Sequence, residues 1–476
     1  MRKAAAALLF WTASTCAAPC PALAQDDRRA RDNARKAPQT DPPWRLHEAL
    51  GAAKGLRFGL DHRSRFEHLR GDFRSTAKGD ATALSMRTLL QAEITSEPLV
   101  FGAELEDSRA FASGTTPLNN TIVNPLELLQ AYGGLRRSDV LARGDRVGLT
   151  LGRFTIDLGS RRLVARNDFR NTINGFTGVD LRWTSPGRHV VRVLAVMPVT
   201  RLPSDAAALE DNRVVVDKEN TDALLWGVFF ASSELPARIQ VETYTLGLLE
   251  RDGTEAPSSN RRLVTPGVRV FRTQRPGAID FQIESMLQLG ISRATTAAAD
   301  TIDLTHRAFS THCSAGYRFA TSWTPRVALQ HDYASGDGDP GDKVNGRFDL
   351  LFGARRFELG PTGFYGAFAR SNVASPGLRV EATPHRKLDA FVAYRLFWLA
   401  SARDAWTTAG VRDPRGSSGD LVGRQLEGRL RWHLVPGNLS FEAGAAHLFP
   451  GAFLDGAPDS RRSPATFVYT QMTATL

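Results

Sequence analysis

The feature that most restricts the fold of this chain is a period of two. From Leu56 to Leu476 apolar and polar residues alternate in segment after segment, and a helix, with its period of 3.6, cannot present that pattern as one continuous face. Leu56, Phe58 and Leu60 oppose Arg57, Asp61, Arg63 and Arg65; Met86, Thr88, Leu90, Ala92 and Ile94 oppose Arg87, Gln91 and Glu93. Val179, Leu181 and Trp183 oppose Asp180, Arg182 and Thr184, and Leu426, Leu430 and Trp432 oppose Glu427, Arg429, Arg431 and His433. About eighteen such segments occur, each close to the length of a tilted strand that crosses an outer membrane. The fold class read from this is all-β: a transmembrane antiparallel β-barrel of about 18 strands with a polar, arginine-lined lumen. Soluble sandwiches also alternate, but the pattern here runs without a domain break or linker.

The ends of the chain fit that reading. Arg2 and Lys3, the apolar run from Ala4 to Trp11 and the small-x-small site Ala22-Leu23-Ala24 form an export signal over residues 1–24. A lipid anchor through Cys16 or Cys20 is the alternative, although neither has a small residue before it. Residues 25–50 are polar and mostly aperiodic and read as a flexible periplasmic arm, leaving residues 51–476 as the barrel domain. The last strand, from Thr466 to Leu476, can close against the first and remove both sheet edges. Beyond Ala24 no apolar run reaches eighteen residues, so helical spans are excluded. The expected location is the bacterial outer membrane after signal cleavage.

Charge points to the cargo. The net charge of +10 falls by two, to +8, when Arg2 and Lys3 leave with the signal, and an excess of cation predicts an acidic partner. Export argues against nucleic acid and leaves anionic saccharides, small anions or lipid headgroups. Between Gly148 and Asn171 five arginines, Arg153, Arg161, Arg162, Arg166 and Arg170, face only Asp157 and Asp168. Their repulsion calls for water or an anionic guest. Arg63, Arg65, Arg182, Arg429 and Arg431 lie on the charged faces of their strands, with Asp61, Glu67, Asp180 and Glu427 as carboxylates that orient them and soften the potential.

Several separated stretches resemble the alginate export family: Phe101 to Arg109 (FGAELEDSR), Gly152-Arg-Phe through Arg161 to Asp168 (RRLVARND), Tyr333 to Asp337 (YASGD), Phe348 to Phe352 (FDLLF), Arg370-Ser-Asn372 and Phe397 to Ser401 (FWLAS). The resemblance implies a monomeric eighteen-stranded barrel in outer-membrane lipid that narrows to an arginine-lined constriction. It also implies an anionic polysaccharide, alginate or a similar uronate polymer, as cargo; periplasmic export-scaffold proteins are candidate partners. The matching residues are Arg65, Arg109, Arg153, Arg161, Arg162 and Arg166, with Asp168 as a partner. Strict alternation from Phe101 turns Arg109 toward lipid unless the strand ends or bulges first.

Other chemistry is sparse. Asp337, Asp339 and Asp342 crowd a Gly-Pro loop and could hold calcium through oxygen ligands, without EF-hand spacing. The stretch from Thr200 to Asp222 could fold inward as a gate or simply be mobile. Cys313, the one cysteine left after signal removal, allows no internal disulfide. No GxSxG elbow, HExxH helix, P-loop or dinucleotide turn occurs, and no cofactor or catalytic residue is assigned. The expectation is a passive, selective polysaccharide channel. The alternatives are an anion-selective porin for small acidic solutes and a barrel enzyme, which would need a Ser-His pair on the outer wall that the sequence does not reveal.

Overall fold

The alternating segments become strands that pair in chain order around a closed wall. The computed structural model describes residues 43–77, 79–114, 118–252, 258–356 and 358–476. The signal segment and residues 25–42 of the arm lie outside the described residues. Among the described residues twenty strands form one sheet; two of them, β8 (Lys218–Glu219) and β15 (Val344–Asn345), are short ladders, and the other eighteen make the wall. The wall is antiparallel from β1 (Leu56–Arg70), β2 (Ala81–Ser96) and β3 (Leu99–Gly114) through to β20 (Ala465–Thr475).

Closure is made by β20 against β1, with Asp61 opposite Thr475 and Arg70 opposite Thr466. Leu476 extends the ladder by exchanging backbone hydrogen bonds with Leu60. Among the described residues no strand edge is left in lipid, where an unpaired backbone group costs several kcal/mol. No helix among the described residues is long and apolar enough to cross a membrane.

Connections at one end are tight, such as 97–98, 386–387 and 436–438, and at the other end long, as outer-membrane barrels require of their periplasmic and extracellular sides. At the short-turn end the helical turn α1 (Leu46–Ala49) sits just before β1. The Trp44 amide and carbonyl both pair with the Asn438 side chain, at 2.9 and 2.7 Å, so this part of the segment read as an arm is tied to the periplasmic rim.

Two long connections turn into the barrel. One joins β5 (Arg146–Phe154) to β6 (Phe176–Thr184); the other joins β14 (Arg326–Ala334) to β16 (Val373–His385). Ile156, Leu158, Leu163 and Val164 of the first and Phe348, Leu359, Phe364 and Phe368 of the second are buried in one apolar cluster with inward wall residues Phe229, Met286, Phe397 and Phe467. The apolar core of this protein therefore lies inside the barrel. The wall's other apolar residues, such as Leu90, Phe101, Ile283 and Val392, are exposed on its outside.

Candidate functional site: a pore lining closed by two loops

The two inward loops cross each other. Val164 and Phe352 form an isolated parallel bridge, Phe352 N donates to Leu163 O at 2.9 Å, and Ala354 N donates to Arg161 O at 2.9 Å. A Cβ on Gly353 would lie 1.7 Å from Arg162 O, so glycine is what permits this approach.

Arginines bolt the crossing to the wall. Arg162, read from the sequence as pore lining, is buried and donates to Glu284 on β12 (Ala278–Ser292) and to Glu358 of the second loop, the latter at 2.7 Å. Glu358 also receives Arg370. Arg166 grips Glu104 on β3 with both Nη groups, at 2.7 and 3.0 Å, and its Nε donates to Asp168 at 3.0 Å. Arg161 stands 3.6 Å from Asp157. The arginine-dense turn is thus a docked plug element, and much of its expected repulsion is answered by wall carboxylates remote in sequence.

At the tip of the first loop, Phe169 lies against two guanidinium groups, Arg65 of β1 at 4.1 Å and Arg356 of the second loop at 4.7 Å. Arg65 is held by Gln471, at 2.9 and 2.7 Å, and stands 4.0 Å from Glu67, which accepts from Ser85. Arg356 pairs with Glu427 on β18 (Leu421–Val435) at 2.7 Å.

One group of cations lacks such partners. Arg63 and Arg87 lie directly opposite each other on β1 and β2, both facing the lumen, an arrangement of like charges that is unfavourable by itself. Both donate to backbone carbonyls: to Asp168 O at 2.7 and 3.0 Å, and to Arg170 O at 2.7 and 3.3 Å. Among the described residues neither makes an ion pair. Arg170 and Arg201 then share the single oxygen of Asn174, at 2.5 and 2.6 Å. Burial, aided by Arg201 and Arg355, holds Arg170 well below the usual arginine range, and burial beside Arg74 and Arg370 pushes Arg355 down to about 10. Buried Glu106 acts on Arg87, Arg170 and Arg201 without a direct ion pair, so guanidinium groups outnumber carboxylates in this cluster.

Nearer the periplasmic end, Arg429 pairs with Asp389 at 2.5 Å and Arg431 with Glu442 at 2.6 Å; Asp180 takes Arg192 at 2.6 Å. Arg182 faces inward opposite Gly148 and Arg192. Asp61 accepts from Thr475 at 3.0 Å, at the closure of the wall. Arg87, Arg356 and Arg370 are not among the expected lining residues: Arg87 has a visible inward position and Arg370 a place in one of the family-like stretches, whereas Arg356 lies where the sequence has no period.

Two of the expected lining residues are corrected. Arg109 stays in phase with Phe101 and Leu105 and lies on the outer wall, where its Nε donates to both Asp107 oxygens at 3.0 Å. Arg153 shares parity with exposed Leu151 and sits at the outer edge of β5, held by Glu127 at 2.6 Å and Glu219 at 2.5 Å. The stretch Thr200 to Asp222 reaches the lumen at its start, where Arg201 meets Asn174, while its helix α2 (Ala206–Glu210) lies near β3 and Asn212 pairs with the Ala110 backbone at 2.9 Å. Asp339 and Asp342, two of the carboxylates read as calcium ligands, accept from Gly341 N and Val344 N in their own turns. Among the described residues no group of three or more His, Cys, Asp or Glu could hold a metal ion.

Comparison with known proteins agrees with this architecture. Solved structures with the same fold include OccK9 (OpdG) of Pseudomonas aeruginosa, at 13% identity over 88% of this chain and 98% of that one, with a TM-score of 0.56. OpdK of the same organism, with vanillate, matches at 12% over 88% and 98%, with a TM-score of 0.56. OccAB1 of Acinetobacter baumannii matches at 13% over 89% and 97%, with a TM-score of 0.55. No curated protein sequence matches the chain. The family model for alginate export matches residues 54–468, nearly the whole length of this barrel, and the chain belongs to the alginate export family.

Proposed function

We propose that this outer-membrane barrel is a passive, anion-selective channel that exports an anionic polysaccharide, a uronate polymer such as alginate. The observation that carries the reading is the cluster of Arg63, Arg87, Arg170, Arg201 and Arg355, gathered in the lumen with few carboxylates to neutralise it. Guanidinium groups stay charged at physiological pH, and low-dielectric walls focus their field on a passing carboxylate. Ion-paired arginines along the rest of the path, such as Arg429 and Arg431, weaken each contact so that a polymer slides rather than stalls. The interlocked loops close the path at rest, and transport requires them to part.

A second reading, a porin for small acidic solutes, draws support from the same packing, because small ions need less displacement of the loops than a sugar chain does. Planar-bilayer recording separates the two. Uronate oligomers that block the current more strongly with length, while neutral oligomers of equal length do not, support the exporter. Permeation of short acids with no block by longer uronates replaces it with the porin.

A further inference from the structure

The outer wall carries a polar island where a transmembrane barrel should be apolar. In register across β1, β2 and β3 lie two rows, Ser64–Met86–Arg109 and His62–Thr88–Asp107. The row above is Phe66–Leu84–Phe111 and the row below Leu60–Leu90–Leu105, with Phe66, Leu84, Phe111, Leu90 and Leu105 all exposed. The next row outward, His68–Thr82–Ser113, is polar again, so the Phe66 row marks the upper edge of the apolar band. Ser64 lies one row beneath it, about 5 Å lower for a tilted strand. Aromatic residues on such walls sit at headgroup level, which places Ser64 at the depth of the linkages between headgroup and acyl chains.

Within the island the polar atoms form a chain. His62 Nε2 is 3.0 Å from Ser64 Oγ, and His62 Nδ1 is 2.9 Å from Thr88 Oγ1. Elsewhere on the wall, His68 meets Thr82 and His447 meets Thr466, each at 2.8 Å; these are histidines satisfied by a neighbouring threonine. His62 differs in having a serine on its other nitrogen. A nucleophile, a base and a group that orients the base are the three parts needed to activate a serine hydroxyl.

We propose that Ser64, His62 and Thr88 form an acyl-transfer site on the lipid-facing wall, acting on fatty-acyl esters of membrane lipids. With Nδ1–H donated to Thr88, Nε2 carries the lone pair that takes the Ser64 proton. Ser64 Oγ bonds to the ester carbonyl carbon, the bond to the lipid alcohol breaks, and His62 returns the proton to the leaving alkoxide. Water, its proton passing through His62, then attacks the acyl-serine and releases a fatty acid, regenerating the serine hydroxyl. Arg109, across Met86 from Ser64 and held by Asp107 through its Nε, is the cation of the island whose Nη groups would serve the tetrahedral oxyanion. The site lies on the opposite face of the wall from the pore lining, so it stands or falls independently of the export reading.

The test uses the full-length barrel in mixed micelles of detergent and phosphatidylethanolamine, with heat-modifiable gel migration confirming that each variant is folded. A fluorophosphonate probe should attach at Ser64 by mass spectrometry, and fatty acid should be released from the lipid. Ser64→Ala should abolish both; His62→Ala should lower release by about 100-fold or more, the scale of a general base, and Thr88→Val by a smaller factor. Absence of the adduct, absence of fatty-acid release, or release that persists in Ser64→Ala would each overturn the assignment.

Discussion

Arg162 donates to Glu358 at 2.7 Å, and through this contact one inward loop holds the other. The same guanidinium reaches Glu284 on the wall, so a single side chain ties both loops to the barrel. Burial pairs of this kind are fragile when one partner is lost, because the remaining charge has no water to turn to.

Replacing Arg162 by Gln should therefore undock the crossing at a local cost of about 3–5 kcal/mol. In single-channel recordings the variant should spend more time in conducting states than the parent. An unchanged open probability would show that the loop crossing does not gate the path.

Gly353→Ala attacks the same crossing through shape. The added Cβ meets Arg162 O at 1.7 Å, a backbone atom that cannot rotate away. The expected destabilisation of the docked loops is about 1–3 kcal/mol, typical of overpacking. Limited proteolysis within 335–372 should become faster while the barrel's heat-modifiable migration is kept.

Selectivity should follow the cluster in which arginines outnumber carboxylates. Joint replacement of Arg63 and Arg87 by Gln removes two lumen charges that make no ion pair among the described residues. The reversal potential in a salt gradient should move toward that of a non-selective pore. Replacing Arg109 and Arg153, which lie on the outer side, should leave it where it is.

A pH dependence is expected where the connection 201–222 is held to the wall. Burial pushes the Asp217 carboxyl up to about 6, with Glu127 adding to the shift, while Leu202 N, Asn124 and Arg201 oppose it. The docked state thus binds its proton more tightly than the loosened one, whose carboxyl titrates near about 3.9. Docking is strongest below that lower value and is lost progressively as pH rises through about 6. Hydrogen exchange in residues 201–222 should accelerate between pH 5 and 7, as ordinary base catalysis alone cannot account for once corrected, and Asp217→Asn should flatten the corrected profile.

The wall was legible because its code is local. Inward or outward follows from parity along a strand, and Arg63, Arg65, Arg182, Arg429 and Arg431 lie on the inner face that their parity gives them. The same parity placed Arg153 with Leu151 and Arg109 with Phe101; selecting them for the lining set motif resemblance above alternation, and alternation prevailed. The polar island was hidden for another reason. His62 and Ser64 are two apart on one strand, but Thr88 and Asp107 join them only through register.

Sequence by itself determined a closed, antiparallel wall with apolar residues outside and charge inside, since period two, strand length and turn chemistry act between near neighbours. Only the tertiary structure decided that two long connections fill the lumen, that Arg162 meets Glu284 and Glu358, and that Arg63 and Arg87 are left holding carbonyls. Those pairings join residues more than seventy positions apart, and they are set by how far the strands shear as the sheet closes and by where aperiodic loops find apolar surface to bury.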